Sequence, residues 1–98
     1  MAKAYISEYE AVPILDGRLV PTGMEPALVE QVVTFTTTVQ SAAFHARTKF
    51  IRVHVDAICS YEFGASPAAT TNTPRMAAST TEFFGVAPGM KVAFVANT

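Results

Sequence analysis

Arg52, His54 and Asp56 alternate along one short stretch of the chain. In an extended strand, residues two apart share a face, so a guanidinium, an imidazole and a carboxyl group would stand side by side. That set could supply two-thirds of a general-base arrangement or part of a metal site. The same spacing describes the solvated face of a half-buried strand with a loose ion pair, and this is the expectation here. His45 lies in a turn, and nothing in the spacing brings it to His54. Two histidines without paired ligand spacing make no metal motif.

Cys59 is the only cysteine. As a nucleophile it would need a neighbouring histidine and an electropositive setting. It is instead surrounded by Ile58, Tyr61 and Phe63, where a free thiol behaves as a small buried hydrophobe. Glu62 and Glu82 are the remaining candidates, since glycoside hydrolysis needs two facing carboxyl groups. That chemistry also needs a concave site with aromatic platforms; the chain has no tryptophan and is too short for a deep cleft. There is no glycine-rich phosphate loop, no Gly-x-Ser-x-Gly and no paired-cysteine motif. The sequence therefore assigns no catalytic, cofactor-binding or metal-binding residue, and the expectation is a protein that is not an enzyme.

The elements that carry these residues read as strands separated by turns. Lys49 to Asp56 is the clearest alternation, with Ile51, Val53 and Val55 on one side and Arg52, His54 and Asp56 on the other. A turn near Asp56-Ala57 and a second strand from Ile58 to Phe63 would make a hairpin. The parity runs on unbroken, so one long bent strand fits equally. Leu28 to Val39 is dense in β-branched residues and predicts a strand. Val29, Gln31, Val33, Phe35 and Thr37 fall on one face; Leu28, Val32, Thr34, Thr36 and Thr38 fall largely on the other. Gly64 opens a long stretch of small and polar residues with Pro67 and Pro74 and no periodicity, a loop of the kind often used as a contact surface. Thr81 to Val86 predicts a strand, Pro88-Gly89 a turn, and Met90 to Ala96 a closing core strand.

Met1 to Pro26 reads as an extended arm with one strand over Tyr5 to Val12, a turn at Asp16-Gly17, and punctuation at Pro13, Pro21, Gly23 and Pro26. Such an arm could lie along a neighbouring subunit or form a local edge strand. Its large apolar residues, Tyr5, Ile6, Tyr9, Val12, Ile14, Leu15, Leu19 and Val20, are each worth roughly 1.5–3 kcal/mol when buried. No window has a helical period. The expected fold is all-β, a small antiparallel β-sandwich with jelly-roll character over 27–98, preceded by the arm over 1–26. Its expected core is Val33, Phe35, Ile51, Val53, Val55, Cys59, Tyr61, Phe63, Val92 and Phe94.

Composition bounds the partners. A chain of 98 residues makes one domain. Half of it is apolar and only 15% is charged, against roughly 25% in an ordinary globular protein. So few charges leave apolar surface to be buried against other chains. The net charge of −1 and seven dispersed Lys and Arg give no basic stripe for nucleic acid. No apolar run approaches the roughly 20 residues of a membrane-spanning helix. The first ten residues contain no secretory apolar core, so synthesis in the cytoplasm is expected.

From Gln40 onward an ordered series of short elements stands out. Gln40-Ser-Ala-Ala-Phe44 leads into Thr48-Lys-Phe-Ile-Arg-Val-His-Val-Asp-Ala-Ile-Cys59. Phe63-Gly64, Pro67, Ala69-Thr70, Arg75-Met-Ala-Ala78, Thr81-Glu-Phe-Phe84 and Pro88-Gly-Met-Lys91 follow. This series resembles small proteins encoded among the virion-structure genes of tailed bacteriophages, near the major capsid protein. The likeness covers somewhat more than half of the chain, and no single motif in it is diagnostic. It implies a particle component located in the virion, with a capsid decoration (cement) protein bound to the major capsid protein as the best match. The residues themselves add that the arm should order on a neighbour or the capsid. The Ser66–Thr80 loop, poor in core residues but rich in small ones, should order at a homo-oligomeric contact, for which a capsid lattice suggests three copies around an axis. A tail- or fibre-associated module contacting a receptor or carbohydrate is the alternative, with Tyr5, Tyr9, Tyr61, Phe83 and Phe84 as aromatic contacts.

Overall fold

The computed structural model describes residues 2–12, 14–19 and 23–97. Met1, Pro13, Val20, Pro21, Thr22 and Thr98 lie outside the described residues, and with them part of the expected punctuation of the arm. The chain forms strands β1 (Ala2–Tyr9), β2 (Ile14–Leu15), β3 (Arg18–Leu19), β4 (Val29–Phe35), β5 (Val39–Gln40) and β6 (Phe50–Val55). It continues through β7 (Cys59–Gly64), β8 (Arg75–Met76), β9 (Thr80–Gly85) and β10 (Lys91–Ala96). One four-stranded sheet has the order β4-β1-β6-β9, and a second has the order β5-β10-β7-β8. All pairings are antiparallel. The two sheets pack face to face around a core drawn from both, and Phe35 of β4 stacks on Phe94 of β10 with ring centroids 5.6 Å apart. The expected all-β antiparallel sandwich is the fold observed.

The pairings are nested. β7 pairs with β8, β6 with β9, and β5 with β10, as in a long hairpin strip rolled on itself, and β4 then pairs with β1. This is jelly-roll order, with β1 taking the place that a strand after β10 would fill. The chain reaches that position because both strands meet the same corner. Ala2 of β1 is the register partner of Phe35, and the amide of Ala96 donates to the carbonyl of Thr36 at 3.2 Å.

Several expectations change. Residues 2–9 of the expected arm are an inner strand of the first sheet, hydrogen-bonded to β4 on one side and β6 on the other. Ala4, Ile6 and Glu8 face the core and are buried. A small residue and an acid in that row hide its apolar character from pattern reading, while the outer row of Tyr5, Ser7 and Tyr9 imitates it. The stretch from Lys49 to Phe63 is not a hairpin, because β6 belongs to the first sheet and β7 to the second. The chain bends across the sandwich at Asp56-Ala57, as the alternative of one long bent strand has it. Leu28 to Val39 is likewise two strands, bent at residues 36–38 so that β5 joins the second sheet.

Of the expected core, Tyr61 and Phe63 are only half-buried, packed at the rim with Phe84. Phe44 and Met76 are buried instead, the latter from within the supposed core-poor loop. The turns read from sequence are present. Asp16 and Gly17 both have positive φ (52° and 75°) and join β2 to β3 as a two-residue hairpin loop. Gly89 has φ of 79° after Pro88, and the amide of Met90 donates to the carbonyl of Ala87 at 3.3 Å, which is the geometry a Pro-Gly turn needs.

Candidate functional site

Arg52 and His54 share the outer face of β6 and Asp56 follows just past its end, but the three do not converge. His54 Nδ1 lies 2.8 Å from the Thr81 hydroxyl on β9, and its ring sits 6.3 Å from that of Tyr5 on β1. Asp56 is a corner residue. Its Oδ1 accepts from the Lys3 amide at 2.7 Å, and its own amide donates to the Lys3 carbonyl at 3.1 Å. The carboxyl group thus ties the bend between the sheets to β1 rather than orienting an imidazole. His45 lies in the β5–β6 connection, where its Nδ1 accepts from the Arg47 amide at 3.0 Å. Among the described residues, no three His, Cys, Asp or Glu side chains are close enough to hold a metal ion.

Cys59 is fully buried. Burial pushes its thiol up to about 11, with Glu82 adding in the same direction, so at neutral pH it is a thiol and a poor nucleophile. Glu62 and Glu82 do not face each other. Glu62 is paired with Ala93 on the outer side of the second sheet, and Glu82 with Val53 on the inner side of an edge strand of the first.

One acid was missed as a special residue. Glu8 is fully buried in the face of β1 that looks into the sandwich. Its Oε1 accepts from the Thr48 hydroxyl and the His45 amide, both at 2.8 Å, and its Oε2 accepts from Gln31 Nε2 at 3.1 Å. Gln31 Oε1 in turn accepts from the Ala42 amide at 3.0 Å. Glu8 therefore pins the β5–β6 connection onto β1 and β4. Its sequence signal was a charge inside an alternating strand, which also marks an exposed edge. Among the described residues no buried side-chain polar atom lacks a partner, so this node is satisfied and has no group left over for a ligand.

The two outer faces of the sandwich differ. The long loop expected to contact other chains covers the outer face of the second sheet of its own chain. Gln40 Nε2 donates to the Pro67 carbonyl at 2.9 Å, the Ala69 amide to Thr38 Oγ1 at 3.1 Å, and the Tyr61 amide to the Pro74 carbonyl at 2.8 Å. Ala69 of the loop is buried, as are Ser60 and Ala93 on the strands beneath it.

Among the described residues, the outer face of the first sheet is covered only at one end. There Tyr9 stacks on Phe50 with centroids 5.3 Å apart, and its hydroxyl donates to Glu25 at 2.6 Å. Gly23 lies so close that a Cβ would stand 2.4 Å from the Tyr9 ring. Beyond that end the described residues leave the face open. Tyr5, Val32 and Phe83 are 41%, 54% and 47% exposed on it.

The register places this face in rows. Glu30, Ser7, Arg52 and Phe83 form one row; Val32, Tyr5, His54 and Thr81 form the next. Thr34 and Lys3 follow, with Asp56 bonded beside Lys3. Such a face offers apolar contact flanked by charges of both signs. Set against protein-family models, curated proteins and solved structures, the chain matches none.

Proposed function

We propose that this protein is a non-enzymatic structural subunit of a bacteriophage particle, most simply a capsid decoration protein seated on the major capsid protein. The observation that carries the reading is the open outer face of the first sheet. Three large apolar side chains, Tyr5, Val32 and Phe83, stand on one surface of a chain that is only 15% charged. Exposed apolar clusters of this kind mark surfaces that other macromolecules cover. The ordered series of short elements from Gln40 to Lys91 supports the choice of particle. The test is a count of copies in purified particles that carry this chain. A decoration protein coats the head in many copies, close to the number of capsid subunits or a simple fraction of it. Absence from the particle would overturn the reading.

A tail- or fibre-associated carbohydrate contact is the second reading, favoured by the exposure of Tyr5 and Phe83 alone among the five aromatic candidates. Tyr9 is buried and Tyr61 and Phe84 are packed in the rim. A few copies per particle, located on the tail, would select it.

A further inference from the structure

We propose that the open face of the first sheet pairs with the same face of a second copy through a two-fold axis running across the strands along the Val32–Tyr5–His54–Thr81 row. The inference rests on reading this face as an interface and names its occupant.

The argument is the pattern of charge. In the row above the proposed axis, Glu30 is negative and Arg52 positive, with Ser7 between them. In the row below, Lys3 on the middle strand is positive and Asp56 beside it negative. A two-fold axis across the strands lays each strand over its own copy and the upper row over the lower. Arg52 then meets Asp56 of the second copy, and Glu30 lies diagonal to Lys3 of the second copy, each contact occurring twice. Val32 and Tyr5, on the axis row, meet themselves, as an isologous contact requires. An axis running along the strands between β1 and β6 does worse. It matches charges equally well, with Lys3 against Asp56 and Glu30 diagonal to Arg52, but it places Val32 over Thr81, Tyr5 over His54 and Phe83 over Glu30, so that each large apolar side chain is covered by a polar one. Covering a polar or charged group with an apolar side chain strips its water without giving it a partner, whereas complementary contacts fix register.

Tyr5, Val32 and Phe83 supply the apolar contact, and facing sheets pack about 10 Å apart with strands nearly aligned. Four strands about 4.8 Å apart and three rows about 7 Å apart give a face of roughly 400 Å² in plan per copy. Both copies together then contribute roughly 800 Å², below the roughly 1,200–2,000 Å² of stable specific pairs, so the dimer is a weak one that depends on concentration. It contains two copies, and not the three that a capsid lattice suggests.

The test is sedimentation equilibrium on the full chain from micromolar to millimolar concentration, with circular dichroism to verify folding. Lys3 and Glu30 are exposed, so exchanging their charges should not disturb the fold. Lys3→Glu and Glu30→Lys should each weaken the dimer at least ~10-fold, and the double exchange should return it to within ~3-fold of the original. Val32→Glu should abolish it; Tyr5→Ser serves if that variant does not fold. A monomer at millimolar concentration, or a dimer indifferent to the exchanges, would overturn the inference. Particle binding of Val32→Glu separates this from the functional reading. If the unsubstituted chain forms no dimer but Val32→Glu loses its particle, the face meets another protein and only the inference falls. If the unsubstituted chain forms no dimer and Val32→Glu binds particles as before, the face is no interface and both fall.

Discussion

Thr48 and Glu8 are forty positions apart, and the Thr48 hydroxyl donates to Glu8 Oε1 at 2.8 Å with both side chains fully buried. A buried acid surrounded by donors is worth most when judged by what its loss leaves behind. Glu8→Ala strands the Thr48 hydroxyl, the His45 amide and the Gln31 amide group together. The expected cost is roughly 3–5 kcal/mol in urea unfolding, since each orphaned buried group costs about 1–3 kcal/mol and partial hydration recovers some of it. Glu8→Gln keeps one acceptor oxygen and should cost less than half as much. Equal losses in the two variants would mean that shape, and not hydrogen bonding, holds the node.

Removing residues 1–9 should prevent folding. β4 and β6 would lose their common partner, and Ala4, Ile6 and Glu8 would leave the core. The check is the amide spectrum of the truncated chain. Dispersed resonances would show that β1 is dispensable.

Gly23→Ala should open the covered end of the outer face. A Cβ at 23 would have to displace the Tyr9 ring, because the two would stand 2.4 Å apart. The Tyr9–Glu25 hydrogen bond should break with it. A loss of roughly 1–3 kcal/mol is expected, and tyrosine fluorescence should report a more exposed ring. An unchanged melting curve would show that the 23–25 segment moves freely.

Stability should fall as pH rises from 9 to about 11. Cys59 has its thiol raised from 9.0 to about 11 by burial. A raised acid constant means that the folded state holds the proton more tightly, so its contribution is complete below pH 9 and is lost as pH climbs towards 11. Tyr9, raised by burial and by the Glu25 hydrogen bond, and Tyr61, raised by burial, add losses above pH 10. Cys59→Ala should flatten the part of the slope between pH 9 and 10. The native thiol should also react slowly with disulfide reagents at pH 8, at a rate set by opening of the fold.

The sequence made the strands from Val29 onward legible wherever one face was uniformly apolar. Ile51, Val53 and Val55 alternate against polar residues, and β6 is where the pattern puts it. Pro88-Gly89 and Asp16-Gly17 were legible for a different reason, since few residues tolerate those backbone angles. β1 was illegible as an inner strand because Glu8 occupies a core position, and only tertiary partners can make that affordable. The sheet switch after Asp56 could not be read either, because a hairpin and a crossing share the same bend residues and parity. Arg52 and His54 were correctly placed on one face, with Asp56 just past the end of the strand, but alternation fixes the face and not the direction of each side chain. The open outer face follows from which sheet the long loop covers, a long-range choice that no local pattern records.

The nested pairing also sets an order of events. Cys59 and Met76 close the shortest loop of the rolled strip, Val55 and Thr80 the next, and Gln40 and Ala93 a much longer one. Each outer pair must wait for the closure entropy of the inner ones to be met, so refolding should be slow for a chain this small. β1 precedes every other strand in the chain, yet its place between β4 and β6 exists only once both are fixed. Ile6→Val should therefore speed unfolding and leave the refolding rate almost unchanged. Until that last insertion, β4 and β6 each present an unpaired edge, and newly made chains would be most prone to pair with one another in that interval.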